Sequence, residues 1–248
     1  TSCNYLDAVL DNQMTQEEAF SKRETTESYL AHIYDYLPNT FDWLSDAGSA
    51  VPRSDEALFS WYAWVDHLVF NDGSWGPTTG AFNIWKSKYE AINQATVFMD
   101  NVDQCLDLTE DIRTRMKAEA RFLRAYFYFE LLCQYGPVFI WGDRAPDNML
   151  RAEDVDRHPL DVNLEFIESE YEKAMADLPM TITDPMWQGR ITKPIVMAAK
   201  SRLLLYAASP LFNGCSLYRG LKNKDGDFLF PQVPDPSKWD KAAEAAKE

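Results

Sequence analysis

Aromatic rings set beside short polar side chains in loops are the groups in this sequence best suited to chemistry, and the chemistry they suit is non-covalent capture of a sugar. Trp75 lies in NDGSWGPTTGA, residues 71–81, a stretch dense in Gly, Pro and Thr with no other large ring. Sugars offer apolar C–H faces that stack on such a ring, and their hydroxyls seek amides, carboxylates and guanidiniums. Asn71 and Asp72 stand close before it and supply such groups. Two readings of Trp75 stand side by side: an exposed platform, or a ring folded inward to anchor its turn. Trp43, just before Asp46-Ala47-Gly48, poses the same alternative. Trp61 and Trp64 fall on a helical stretch, where at least one is expected in the core.

Other chemistry finds no pattern. His32, His67 and His158 share no metal-ligand spacing. Asp55 and Glu56 are adjacent, and neighbouring helical side chains point about 100° apart, which does not make two opposed carboxylates. Asp225-Gly226-Asp227 lacks the further ligands of a calcium loop and reads as a tight turn. No nucleophile elbow, phosphate loop or dinucleotide motif occurs, so no catalytic residue, metal ligand or cofactor is assigned. Cys3, Cys105, Cys133 and Cys215 fit neither a zinc motif nor a redox pair. Cys105 and Cys133 sit in apolar helical stretches and read as small core residues. Cys3 follows Thr-Ser, and a small residue before Cys resembles the end of a bacterial lipoprotein signal; the alternative is a free terminal thiol. The net charge of −15 repels phosphate backbones, which excludes nucleic acid as a partner. No apolar run reaches the roughly 20 residues that span a bilayer.

The elements that must position these rings are helices. The 248 residues, 46% of them apolar, suffice for a large core without disulfides or metals. Thr15-x-x-Glu18 is a capping box that starts a first helix, whose stripe Leu30, Ile33, Tyr34 and Leu37 runs to Pro38. A second follows Ser54, with Leu58, Trp61, Tyr62 and Val65 on one side. A third carries Trp85, Tyr89, Ile92, Thr96 and Met99 on its face, which places Trp85 in packing. A fourth, about 110–135, is apolar nearly all round and is stopped by Gly136-Pro137; such a helix is buried between neighbours. Val138–Trp141 reads as a short extended piece, and 142–158 as an acidic loop. A fifth helix holds Leu164, Ile167, Tyr171, Ala174 and Leu178, ending at Pro179. A sixth starts at Thr192 with Pro194 in its first turn and closes near Ser209-Pro210. Residues 214–237 form a long loop with a hairpin about Asp225-Gly226, and Ser237-x-x-Asp240 opens a seventh helix.

Helices three and four form an antiparallel pair. Ala118, Phe122 and Ala125 reproduce the small-large-small spacing of the second helix of a tetratricopeptide-like repeat. Ala199 and Leu203 hold comparable places in the next pair, and Trp239, Ala242, Ala243 and Ala246 begin a third. The fold class is therefore all-α dominated, with tetratricopeptide-like helix pairs in a right-handed stack, long irregular loops and at most a small β-hairpin. An ordinary helical bundle is the alternative.

Within that frame, AEARFLRAYFYFELLCQYGPVFI, residues 118–140, closely resembles the most characteristic segment of SusD-like (RagB/SusD) proteins. RSDEALF at 53–59, WKSKYEAINQATVFMDNV at 85–102, and ITKPIVMAAKSRLLLYAASPLFNG at 191–214 resemble other family segments in the same order, and Cys3 matches the family's lipoprotein start. The likeness covers nearly the whole chain but only the first half of a typical member; the loop-rich C-terminal half has no counterpart. It implies a lipoprotein tether over 1–14, with Cys3 acylated, and an N-terminal helical domain over 15–248. It implies a surface protein anchored by lipid to the outer membrane, which binds oligosaccharide and serves a TonB-dependent transporter, with no enzyme activity and no cofactor. Arg53 and Asn83 resemble the polar partners expected near the glycan site, beside Trp75, Asp72, Asn71 and Trp43. The competing expectations are a helical-repeat scaffold whose rings are all core, and an all-helical glycoside hydrolase.

Overall fold

The computed structural model describes residues 15–39, 54, 68–76, 78–79, 83–142 and 155–248. The tether with Cys3, the expected helix built on Leu58, Trp61, Tyr62 and Val65, and most of the acidic loop lie outside the described residues. Among these, eight α-helices occur: α1 Gln16–Ala19, α2 Arg23–Tyr34, α3 Leu68–Asn71, α4 Trp85–Asn101, α5 Glu110–Tyr135, α6 Leu160–Asp177, α7 Lys193–Ala208 and α8 Ser237–Ala245. Extended pairing among the described residues amounts to a lone antiparallel bridge, Lys222 to Phe228, at the turn expected from Asp225-Gly226. Gly226 takes φ +91° there, a conformation open to glycine. No described helix is long and apolar enough to cross a membrane.

From α4 onward the helices pack mainly on their sequence neighbours, α4 on α5, α5 on α6, α6 on α7 and α7 on α8, while α2 lies against α4 and α5. That order is the sequential stacking of a repeat array. Helix α5 is its centre. Glu110 and Asp111 in its first turn suit the positive end of the helix dipole. Gly136, at φ +72°, ends it, and its N–H closes the last turn on the Leu132 carbonyl at 3.0 Å. Ala91 and Ala95 on α4 and Ala118 and Ala125 on α5 are buried, which allows close approach, while Phe122 fills space against Tyr171 of α6, centroids 5.3 Å apart. The small-large-small reading of α5 is thus realised in the packing.

The capping box at Thr15 and Glu18 is closed in both directions, yet α1 lasts a single turn. Phe20 must enter the core against Tyr29 and Phe98, at 5.1 and 5.7 Å. The chain breaks there and restarts as α2. The last helix is also capped differently from its expected Ser237 signal. Asp235 accepts from the Ser237 N–H at 2.9 Å and its hydroxyl at 2.7 Å, so Ser237 lies inside the first turn.

Two buried carboxylates on the central helices tie the stack together. Glu119 of α5 accepts from the Tyr34 hydroxyl of α2 at 2.7 Å, Arg115 at 3.2 Å and Arg190 at 2.9 Å. The Tyr34 oxygen in turn accepts from the Ile191 N–H at 3.1 Å, fastening the α6–α7 connection to α2. Arg115 and Arg190 also lie against the Trp187 ring, 4.5 and 4.1 Å from its centre. Glu170 of α6 gathers Arg121, Arg124 and Lys173. At the far end, the 214–236 loop folds over the α5–α6 connection: Leu160 N–H donates to the Leu229 carbonyl at 2.8 Å, and Phe230 stacks on Tyr218 at 4.7 Å.

Candidate functional site

Trp75 follows α3 on a loop held by its own backbone. Its N–H donates to the Val69 carbonyl at 2.9 Å, and Gly73 turns the chain at φ +74°. The Asp72 carboxylate accepts from the Ser74 N–H at 2.9 Å, a local turn of the kind Asp favours. Donation from the Ser74 side chain and backbone holds the Asp72 carboxyl below its usual range, so it is an anionic acceptor at neutral pH. The Trp75 ring stacks on Phe70, centroids 5.6 Å apart and planes 26° from parallel, yet stays 58% exposed. Asn71 and Asp72 are exposed alongside in sequence. Of the two readings of Trp75, the geometry is that of a supported surface ring.

Asn83 lies further along the same connection, at the head of α4. Its Oδ1 accepts from the Trp85 N–H at 3.1 Å and from the Tyr135 hydroxyl at 3.1 Å. Tyr135 is the last residue of α5, so the start of one helix and the end of its partner meet here. Its hydroxyl oxygen accepts from the Ile84 N–H at 3.0 Å. Trp85, expected in packing from its place on the α4 stripe, is instead 40% exposed. It is the first residue of α4, so no preceding turn of its own helix lies over it. The ring meets Tyr135 edge to face at 5.2 Å and Tyr89 at 4.9 Å. Beneath it, the Tyr89 hydroxyl donates to the Phe139 carbonyl at 2.8 Å, and the Tyr128 hydroxyl accepts from the Trp141 N–H at 3.0 Å. Burial pushes both phenols up, Tyr128 to about 12, so they remain neutral. The run Val138–Trp141 is thereby pinned as a strap without strand pairing.

The described contacts thus place Trp75 with Phe70, and Asn83 with Tyr135 and Trp85. Trp43 and Arg53 lie outside the described residues, as do Asp55, Glu56, Trp64 and His67. Sequence reasoning missed Tyr135. Its position directly before the Gly136-Pro137 stop is the signal that could have found it, because a ring at the last turn of a buried helix reaches the rim of the stack. Nothing in this arrangement opposes two carboxylates or joins a nucleophile to a base; what it offers is ring faces with fixed donors and acceptors.

A family model described as "Starch-binding associating with outer membrane" matches residues 4–205. Among solved structures, one named BT4246 superposes with a TM-score of 0.78 at 25% identity, over 92% of this chain and 39% of its own. A SusD-like protein from Bacteroides fragilis gives 0.64 at 24% identity, over 77% of this chain and 36% of its own. A laminarin binding SusD-like protein gives 0.62 at 20% identity, over 76% and 41%. The chain spans about two fifths of the length of the structures it matches. No curated protein matches it.

Proposed function

The chain belongs to the SusD-like family, and from that premise we propose that it is the helical N-terminal part of a surface glycan-binding lipoprotein. In this reading residues 15–248 form the scaffold and 1–14, through Cys3, the lipid tether to the outer membrane. Oligosaccharide is held on loop rings at the rim of the stack and passed to a TonB-dependent transporter. Binding is the whole activity; no bond is made or broken.

The observation that carries this reading is Trp75: a large ring, 58% exposed, stacked on Phe70 and tied back by its N–H to the Val69 carbonyl. A ring held in place before the ligand arrives loses little freedom on binding. Asn71, Asp72 and Asn83 supply the hydrogen-bonding groups that orient hydroxyls. A repeat scaffold with its aromatics all in the core gives no reason for that exposure.

The test is titration calorimetry of the chain against starch- and laminarin-derived oligosaccharides, with and without Trp75→Ala. Stripping one sugar-covered ring face removes about 1–2 kcal/mol, or roughly 5–30-fold in affinity. Thermal unfolding should stay within a degree or two, as expected for a surface change. Unchanged affinity moves the site away from Trp75. A wild-type chain that binds no glycan favours the protein-interaction scaffold, and release of reducing ends from the same panel would replace binding by hydrolysis.

A further inference from the structure

We propose that Asn213-Gly214 is a latent deamidation site, locked by the two bonds that Asn213 makes to Asp235, and that its conversion to an acid releases the 214–236 loop.

Both ends of the Asn213 amide are taken by one residue. Its Nδ2 donates to the Asp235 carbonyl at 2.8 Å, and its Oδ1 accepts from the Asp235 N–H at 2.8 Å. The side chain, 5% exposed, pairs with the backbone as a neighbouring strand would. This clasp closes the loop at its base. Gly214 makes the closure possible: it takes φ +77°, and a Cβ there would lie 2.4 Å from the Pro234 nitrogen. The closed loop then reaches the rest of the stack. Its Leu229 carbonyl accepts from the Leu160 N–H at 2.8 Å, and its Asn223 Nδ2 donates to the Arg157 carbonyl at 3.4 Å. Asp235 itself also holds Ser237 at the start of α8.

Asparagine followed by glycine loses its amide more readily than other pairs, because glycine leaves the next backbone nitrogen unhindered. The Gly214 nitrogen attacks Asn213 Cγ and a C–N bond forms. The Cγ–Nδ2 bond breaks, and Nδ2 leaves as ammonia with the proton that Gly214 gave up. Water then opens the cyclic imide to aspartate or isoaspartate. The attack requires the amide to turn its carbon towards Gly214. In the fold both ends hold it to Asp235, so the reaction waits for the clasp to open. Afterwards the clasp cannot re-form. An ionised carboxylate still accepts from the Asp235 N–H, but its other oxygen faces the Asp235 carbonyl with no proton between them. An opening of the loop is thereby made permanent.

The test is peptide mapping by mass spectrometry after incubation at mildly alkaline pH, with the chain folded in buffer or unfolded in urea. Asn213 should convert at least about tenfold more slowly in the folded chain, since only the locally opened fraction reacts. Asn213→Asp, which makes the product directly, should lower the melting temperature by several degrees at neutral pH and raise hydrogen exchange across 214–236. Acidification should narrow its deficit against Asn213→Ala, because a protonated carboxyl can donate to the Asp235 carbonyl again; a loss of packing alone would not respond to pH. Equal conversion rates in buffer and urea would mean that the clasp does not lock the site. No conversion in urea would mean that there is no site. An Asn213→Asp chain with wild-type melting and loop exchange would mean that deamidation releases nothing. Should that variant fail to fold, hydrogen exchange on the wild-type chain after partial conversion decides the same point: the converted fraction must exchange faster across 214–236, and equal exchange overturns the proposal.

Discussion

Replacing Glu170 by Gln should lower the unfolding free energy by about 3–5 kcal/mol, the typical cost of stranding one member of a buried ion pair. Arg124 of α5 and Glu170 of α6 are each 1% exposed, with Nη2 to Oε2 at 2.6 Å. Arg121 and Lys173 reach the same carboxylate, at 3.1 and 2.9 Å. Gln keeps the shape and removes the charge, so the Arg124 guanidinium stays in the core without its counter-ion. Denaturant titration followed by far-ultraviolet circular dichroism should show a lower midpoint with an unchanged slope. A loss under about 1 kcal/mol would mean that Arg124 is neutralised by other means.

The pH dependence follows from the same group. Burial pushes the Glu170 carboxyl up, but hydrogen bonds from Lys173 and Arg124 and the charges of Arg124 and Arg121 outweigh it, leaving it below the ordinary range. A depressed folded-state value means that its stabilisation is complete above the ordinary glutamate range and is lost as pH falls from there through the lower folded value. Glu119 works the other way. Burial raises it, and Arg190, Tyr34 and Arg115 bring it only part of the way back. Its contribution is present at low pH and lost as pH rises through its folded value. The acid limb of stability should therefore be shallower in Glu170→Gln than in wild type, and steeper in Glu119→Gln.

Phe127→Ala should cost about 3–5 kcal/mol, the range for removing a fully buried aromatic. The ring lies wholly inside, edge-on to Tyr36 at 6.4 Å, with the Lys88 ammonium 5.2 Å from its centre. Lys88 is itself buried, held by the Tyr36 carbonyl at 2.6 Å and Glu130 at 2.9 Å. The cavity opens beside a charge, which adds to the loss. Phe127→Leu should restore all but about 1.5 kcal/mol. If Phe127→Ala unfolds no more readily than Trp75→Ala, α5 is not the packed centre of the stack. The contrast between these two positions separates scaffold from site: one governs stability and leaves the surface rings in place, the other governs affinity and leaves the fold alone.

The helices were legible because their signals are local. The stop at Gly136-Pro137, the start at Thr192 with Pro194, and the alternation of Ala118, Phe122 and Ala125 act within one or two turns, and α5 and α7 run as those signals require. Where a distant neighbour decided, the sequence misled. The Thr15 capping box formed, but Phe20 was drawn under Phe98, far along the chain, and cut the helix short. Trp85 kept the register of a buried stripe and still came out half exposed, because cover at a helix end depends on which residues arrive from other elements.

The sequence by itself determined the family, the helical periods and the small residues that let α4 and α5 approach, since each is written in residue type and spacing of three and four. Only the tertiary structure decided which rings face solvent, which cations meet Glu119 and Glu170, and that the Asn83 oxygen, rather than its nitrogen, is taken up by Tyr135. Exposure and hydrogen-bond polarity belong to groups brought together from far apart in the chain, and a spacing rule that reaches four residues carries no information about them.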